Sequence, residues 1–211
     1  MELDFIYKRH SVRHFKEDAV EEATIREIIK AATYAPSGKN QQNWHFVVVT
    51  DKNKIVEIAR IVEQTNANLA TYLTDESQIK AFTASVGYHT IFKGAPVLIL
   101  VYAGHYPTVS EMLLTAGVMP GDEAIKYAKP NPGIQNIAAA MENLLLAAAN
   151  LGYGTCWMTG PTYAAEEISE YIGFKKEGYH LAALTPLGLP ANDKVTASPR
   201  KPIDDVLTII K

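Results

Sequence analysis

The sequence predicts a layered α/β-type fold in a single unit, on three observations. Short β-branched or aromatic runs alternate with amphipathic helical stretches, glycines and prolines punctuate them, and no linker, internal repeat or low-complexity segment divides the chain. Strict β-α-β alternation does not hold throughout, so the sheet need not be parallel. The 211 residues, 47% of them apolar, suffice for one domain with a full core.

The elements follow in order. Glu21 to Ala35 reads as an amphipathic helix, with Ile25, Ile28, Ile29 and Ala32 at helical spacing and acids in the first turn. Pro36 ends it, because proline disfavours helical geometry in the residue before it. A polar loop, Ser37–Asn43, leads into a strand over Trp44–Thr50. Lys52 to Ala70 reads as a helix with Ile55, Ile58, Ala59 and Val62 on one side. Ala95–Tyr102 is a continuous apolar run preceded by Gly94, the mark of a buried strand. Gly104 to Gly133 carries four prolines and no sustained period, and reads as an excursion or lid with short helical turns. Ile134 to Leu151 is the strongest helix, apolar almost all round and therefore buried on most sides. Tyr153–Met158 reads as a strand, Ala164–Ile172 as a short helix ended by Gly173, and Tyr179–Leu187 as a last core strand. All 211 residues form one domain, with the excursion at about 104–133 as its variable part.

Composition excludes several functions. A formal net charge of −3 gives no field favouring nucleic acid or an anionic membrane. A lone cysteine, Cys156, excludes an intrachain disulfide and a multi-cysteine metal site. No apolar run approaches the roughly 20 residues of a bilayer span, and Met1–Asp4 lacks the pattern of an export signal, so a cytoplasmic protein is expected. Among the six histidines only His10 and His14 are spaced like a helical metal pair, without a third ligand nearby, and no metal is expected. No Ser-His-Asp set is evident.

Four segments carry candidate chemistry. Arg9-His10-Ser11-Val12-Arg13 sets two guanidiniums and a hydroxyl where they can converge on one small oxyanion, which guanidinium binds through paired hydrogen bonds. Pro36-Ser37-Gly38-Lys39-Asn40, continuing to Gln42, offers small and amide side chains that can read a heteroaromatic edge. Gly152 to Pro161 has glycines that permit close backbone approach to a flat ligand. Pro199-Arg200-Lys201-Pro202 adds a second basic pair. Taken singly, each also fits an ordinary turn or solvated surface.

Taken in order, they resemble the FMN-dependent nitroreductase family of NAD(P)H-oxidising flavoproteins. The likeness runs from the Arg-x-Ser-x-Arg turn through Ala-Pro-Ser-Gly-x-Asn-x-Gln before Trp44, Lys93-Gly94-Ala95-Pro96-Val97, Ile134–Ala140 and Leu151–Thr155, to Gly188-Leu189-Pro190 and Pro-Arg-Lys-Pro. It implies an α+β three-layer sandwich with a central, mostly antiparallel sheet, in a homodimer with FMN at the subunit interface. Arg9 and Ser11 would hold the FMN phosphate, His10 would lie along the phosphate–ribityl segment, and Arg13 would reach the pyrimidine end of the ring. Arg200 and Lys201 would return to the phosphate. Pro36, Ser37, Gly38 and Asn40 would cover the ring from the other subunit, and Met158, Thr159 and Gly160 would border it near its reactive nitrogen. No catalytic side chain is implied, since the chemistry is flavin-borne. NADH or NADPH would deliver hydride and a nitroaromatic, quinone or enone would receive it, in a ping-pong cycle. Two alternatives stand: an FMN-binding relative that dehalogenates or fragments aromatic or flavin substrates, and a non-enzymatic module for a phosphorylated ligand. Asn43 replaces the proline the family usually has before tryptophan, which predicts a looser loop. The second polar contact to the pyrimidine has only Asn66 and Asn68 as candidates.

Overall fold

The computed structural model describes residues 3–192 and 198–211. Met1 and Glu2, part of the start from which the absence of an export signal was read, lie outside it.

The central strand explains the architecture. β2 (Val97–Ala103) is apolar at every position and fully buried. Successive side chains of a strand point to opposite faces, so a strand without polar alternation must be covered on both. Val97, Ile99, Val101 and Ala103 enter one core with α2 (Glu22–Thr33) and α7 (Pro132–Asn150). Leu98, Leu100 and Tyr102 enter the other with α3 (Lys52–Ala70) and α8 (Ala165–Tyr171). The result is helix layer, sheet, helix layer.

β2 pairs antiparallel with β1 (Trp44–Val49) on one side and β4 (His180–Gly188) on the other, and β4 pairs antiparallel with the two-residue β3 (Gly154–Thr155). The order is β1-β2-β4-β3, antiparallel at every pairing. A register irregularity falls between Val101 and Tyr102, so that Val101 faces Ala183 and Tyr102 faces Leu181.

The expected elements are present, with two additions. α1 (Asp4–Lys8) precedes the basic turn, and α4 (Glu76–His89) packs on α3. No residue of α4 is fully buried, so it has no continuous apolar stripe to announce it. The excursion folds into α5 (Val109–Thr115), opened by a Thr108/Glu111 capping box, and α6 (Gly121–Ala124), followed by a 3₁₀ turn over Ile125–Tyr127.

The expected strand Tyr153–Met158 is shorter. Beyond Thr155 the Cys156 N–H donates to the Thr185 side-chain oxygen at 3.2 Å, where a continuing ladder would need a backbone carbonyl. Pairing returns only at Met158, which exchanges two 2.9 Å backbone bonds with Leu184. No helix among the described residues is long and apolar enough to cross a membrane.

Candidate cofactor site

Arg9 leaves α1 in extended geometry, φ −61° and ψ 128°. The chain then lies along β3, with Ser11 bridged in parallel to Thr155 and the Val12 N–H donating to the Thr155 carbonyl at 2.8 Å. Further on, Lys16 N–H donates to Leu189 O at 2.8 Å and Ala191 N–H to His14 O at 2.9 Å. Extended backbone has a period of two. It sends Val12 inward, where it is buried, and sets Arg9, Ser11 and Arg13 on the opposite side together. This is the physical meaning of the Arg-x-Ser-x-Arg spacing.

All three act on Cys156, the residue after β3. Burial pushes its thiol pKa up; the Arg13 charge, a hydrogen bond with Ser11 and the Arg9 charge each pull it partly back. Arg9 lies 3.9 Å from Glu142 of α7, a loose ion pair that leaves the guanidinium able to take a stronger partner. Two guanidiniums and a hydroxyl thus share one side of the segment that runs along the end of the sheet.

Gly154 makes the close approach possible. A Cβ there would lie 2.6 Å from Val12 Cβ and 2.7 Å from both its γ carbons. We expect Gly154→Ala to push the basic segment off the sheet and cost about 1–3 kcal/mol, as overpacking does. Urea unfolding midpoints measure this, and an unchanged midpoint would refute the packing argument.

Met158 is buried, Thr159 is exposed, and Gly160 opens the 3₁₀ turn Gly160–Ala164. Gly160 is packed directly against the His89 ring of α4.

The loop after α2 is held by amides. Asn136, a buried polar residue of α7, accepts from the Gly38 N–H at 3.0 Å and donates to Asn43 Oδ1 at 2.9 Å. Asn43 in turn donates to the carbonyls of Gly104 at 2.9 Å and Gly133 at 3.3 Å. The expectation that Asn43 loosens this loop is therefore corrected: it is 4% exposed and ties the loop to α7 and to both ends of the excursion. Proline has no side-chain amide to do this. Tyr106 packs the hydroxyl end of its ring on Gly38 and its Cβ on Gly133. Lys39, Asn40 and Gln42 have φ of 55°, 52° and 47°, a left-handed conformation that non-glycine residues hold only when surroundings impose it.

Within one chain, no described contact joins Pro36, Ser37, Gly38 or Asn40 to Arg9, Ser11 or Arg13. Arg200 and Lys201 lie on an exposed tail, where Arg200 Nη1 donates to Ser198 O at 3.2 Å. His10 Nδ1 sits 3.1 Å from the Lys8 carbonyl. Asn66 is buried and donates to Phe82 O at 3.3 Å, whereas Asn68 is exposed and accepts from Gln64 at 3.0 Å. Sequence reasoning missed Asn136, Tyr106 and His89. An asparagine on the buried face of an apolar helix was the one available signal; the other two reach their contacts across the fold.

Two histidines are held below the ordinary imidazole pKa. Burial is the larger cause for His45, which stacks on Phe174 at 4.9 Å, with the Lys176 charge adding to it; burial lowers His89. The unfolded chain then binds more protons than the folded one as pH falls. Stability from these groups is present above about pH 6.5 and is lost as pH drops through the lowered folded values. Urea midpoints should decline on acidification from about pH 7.5 to pH 5.5, and His45→Gln should flatten the decline. A midpoint rising over that range would contradict the sign. No group of three metal-ligating side chains occurs among the described residues.

A family model described as the nitroreductase family matches residues 6–189. A BluB-like flavoprotein from Clostridium difficile 630 superposes with a TM-score of 0.92 at 36% identity, over 100% of this chain and 99% of that one. A nitroreductase with bound FMN from Desulfitobacterium hafniense DCB-2 superposes with a TM-score of 0.69 at 25% identity, over 99% and 97%. An iodotyrosine deiodinase from Thermotoga neapolitana is 26% identical across 98% of this chain and 96% of its own. With its antiparallel sheet between two helix layers and a match across most of its length, the chain belongs to the nitroreductase family of flavin oxidoreductases.

Proposed function

We propose that this protein binds FMN and works as an NAD(P)H-dependent oxidoreductase. The observation that carries this reading is the extended backbone along β3 that sets Arg9, Ser11 and Arg13 on one side of the segment, beside Cys156. The donor set fits the cofactor's phosphate: a group near −2 needs cationic partners if it is to leave water, and two guanidiniums plus a hydroxyl supply them. The solved relative with bound FMN supports the choice of flavin.

The chemistry FMN supplies when bound is hydride acceptance from a reduced nicotinamide and return of the electrons to a flat electrophile such as a nitroaromatic, quinone or enone. The protein's part is binding and electrostatics. Arg9 and Ser11 would hold the phosphate, with His10 beside it and Arg200 and Lys201 closing on it. Arg13 would place a positive charge at the pyrimidine end, where it favours the reduced form. Met158, Thr159 and Gly160 would border the ring. Pro36, Ser37, Gly38 and Asn40 would cover it from a second subunit, which explains why one chain does not bring them to the basic turn. No side chain needs to act as nucleophile or acid.

The second subunit has support of its own. Phe5, Ile6 and Tyr7 of α1 and Ile203, Val206, Leu207, Ile209 and Ile210 of the tail are exposed, apolar side chains that a second copy of the chain would cover. Sedimentation equilibrium should give twice the 23.2 kDa chain mass.

The deciding experiment is on purified protein. A yellow protein whose flavin absorbance is bleached by NADH or NADPH supports the proposal. A colourless protein that takes up no added FMN refutes it. The deiodinase likeness favours a second reading, reductive dehalogenation on the same cofactor. A bound flavin that neither nicotinamide reduces, together with halide release from a halogenated phenol under dithionite, would select it.

A further inference from the structure

The geometry points to His89 as a positioning residue for the Met158–Gly160 edge of the cofactor site, its imidazole held by Tyr163 and pressed on Gly160. This rests on the FMN reading above and deepens it.

His89 is the last residue of α4. Its Nδ1 lies 3.2 Å from Tyr163 Oη, and the two rings meet edge to face at 5.4 Å. Tyr163 has a single hydrogen, which it donates to the Val62 carbonyl at 3.4 Å. It also receives a hydrogen bond from Asn66. Asn66 has two amide hydrogens, and the other goes to the Phe82 carbonyl at 3.3 Å. Tyr163 Oη thus ties the His89 ring to the α3 backbone at Val62.

The opposite edge of the ring, Cδ2 and Nε2, faces Gly160. A Cβ built on Gly160 would fall on His89 Cδ2 and Nε2, so any larger residue must displace the ring or the backbone. The ring cannot yield freely, since Tyr163 holds its far side. Asn66, Tyr163 and His89 thus form a buttress from α3 through the Gly160–Ala164 turn to α4. Its outer end is the backbone of the segment expected at the flavin ring. It also gives buried Asn66 a supporting role in place of the direct flavin contact considered from sequence.

The test is a double-variant cycle on the FMN-stripped protein, read by flavin fluorescence on titration with FMN. Gly160→Ala is expected to weaken FMN binding about tenfold, and Gly160→Ala/His89→Ala to recover most of that loss. His89→Ala is expected to shift the midpoint potential of the bound flavin, and His89→Gln, with one donor and one acceptor, to restore it. Should Gly160→Ala fail to fold, Tyr163→Phe replaces it and is expected to shift the potential as His89→Ala does. Additive effects in the cycle, coupling confined to the melting temperature, or an unmoved potential would overturn the positioning role. Wild-type protein that binds no FMN would instead overturn the functional reading on which it rests.

Discussion

Arg9→Ala is expected to yield a folded protein that loses its flavin on dilution. In the fold, Arg9 makes one loose ion pair with Glu142 at 3.9 Å, on a helix face that is itself part-exposed. Pairs of that kind contribute about 0–1 kcal/mol, so the melting temperature should scarcely move. Toward a phosphate the same guanidinium forms charge-assisted hydrogen bonds, worth about 1.5–3 kcal/mol. FMN affinity should therefore fall about 10- to 100-fold. Arg200→Ala should act in the same direction, whereas Arg13→Ala should shift the flavin potential more than it weakens retention. Fluorescence titration with FMN and spectroelectrochemistry separate these outcomes. Equal flavin content and one common potential across the three variants would overturn the role assignments.

Asn136→Ala should have the largest effect on stability. It removes the acceptor for the Gly38 N–H and the donor to Asn43 Oδ1 in one step. The buried Asn43 Oδ1 left without a partner costs about 1–3 kcal/mol, and the lost bond to the exposed Gly38 N–H, which water can replace, about 0.5–1.5 kcal/mol. A total of about 2–4 kcal/mol corresponds to a fall in melting temperature of roughly 5–12 °C for a chain of this size. The loop over Ser37–Gln42 should also relax, since three of its non-glycine residues hold left-handed geometry that the amide network imposes. Faster amide exchange at Gly38 and Asn40 would register that. Calorimetry showing a change under 1 °C would mean that the network contributes little.

Much of the molecule was legible from the linear chain because its signals are periodic. α2, α3, α7 and α8 announced themselves by apolar spacing, and β2 by an unbroken apolar run. The Arg-x-Ser-x-Arg turn was also readable, since a period of two in extended backbone is enough to place three side chains on one side. α4 was not, because none of its residues is fully buried and no stripe marks it. The strand after Tyr153 was over-read, because a side-chain oxygen of Thr185, 29 residues away in sequence, intercepts the Cys156 N–H.

The chain's own order of residues thus determined the layered class, the chief elements and the basic face of the N-terminal segment, all of which follow from local periodicity and backbone sterics. Only the tertiary structure decided that this face lies along β3 beside Cys156, that Asn43 and Asn136 fasten the strained loop, and that His89 stands behind Gly160. Those outcomes depend on hydrogen bonds and close contacts between residues separated by tens of positions, such as the 93 between Asn43 and Asn136. No local rule encodes such pairings, because they are selected by which buried polar groups can satisfy one another once the layers have packed.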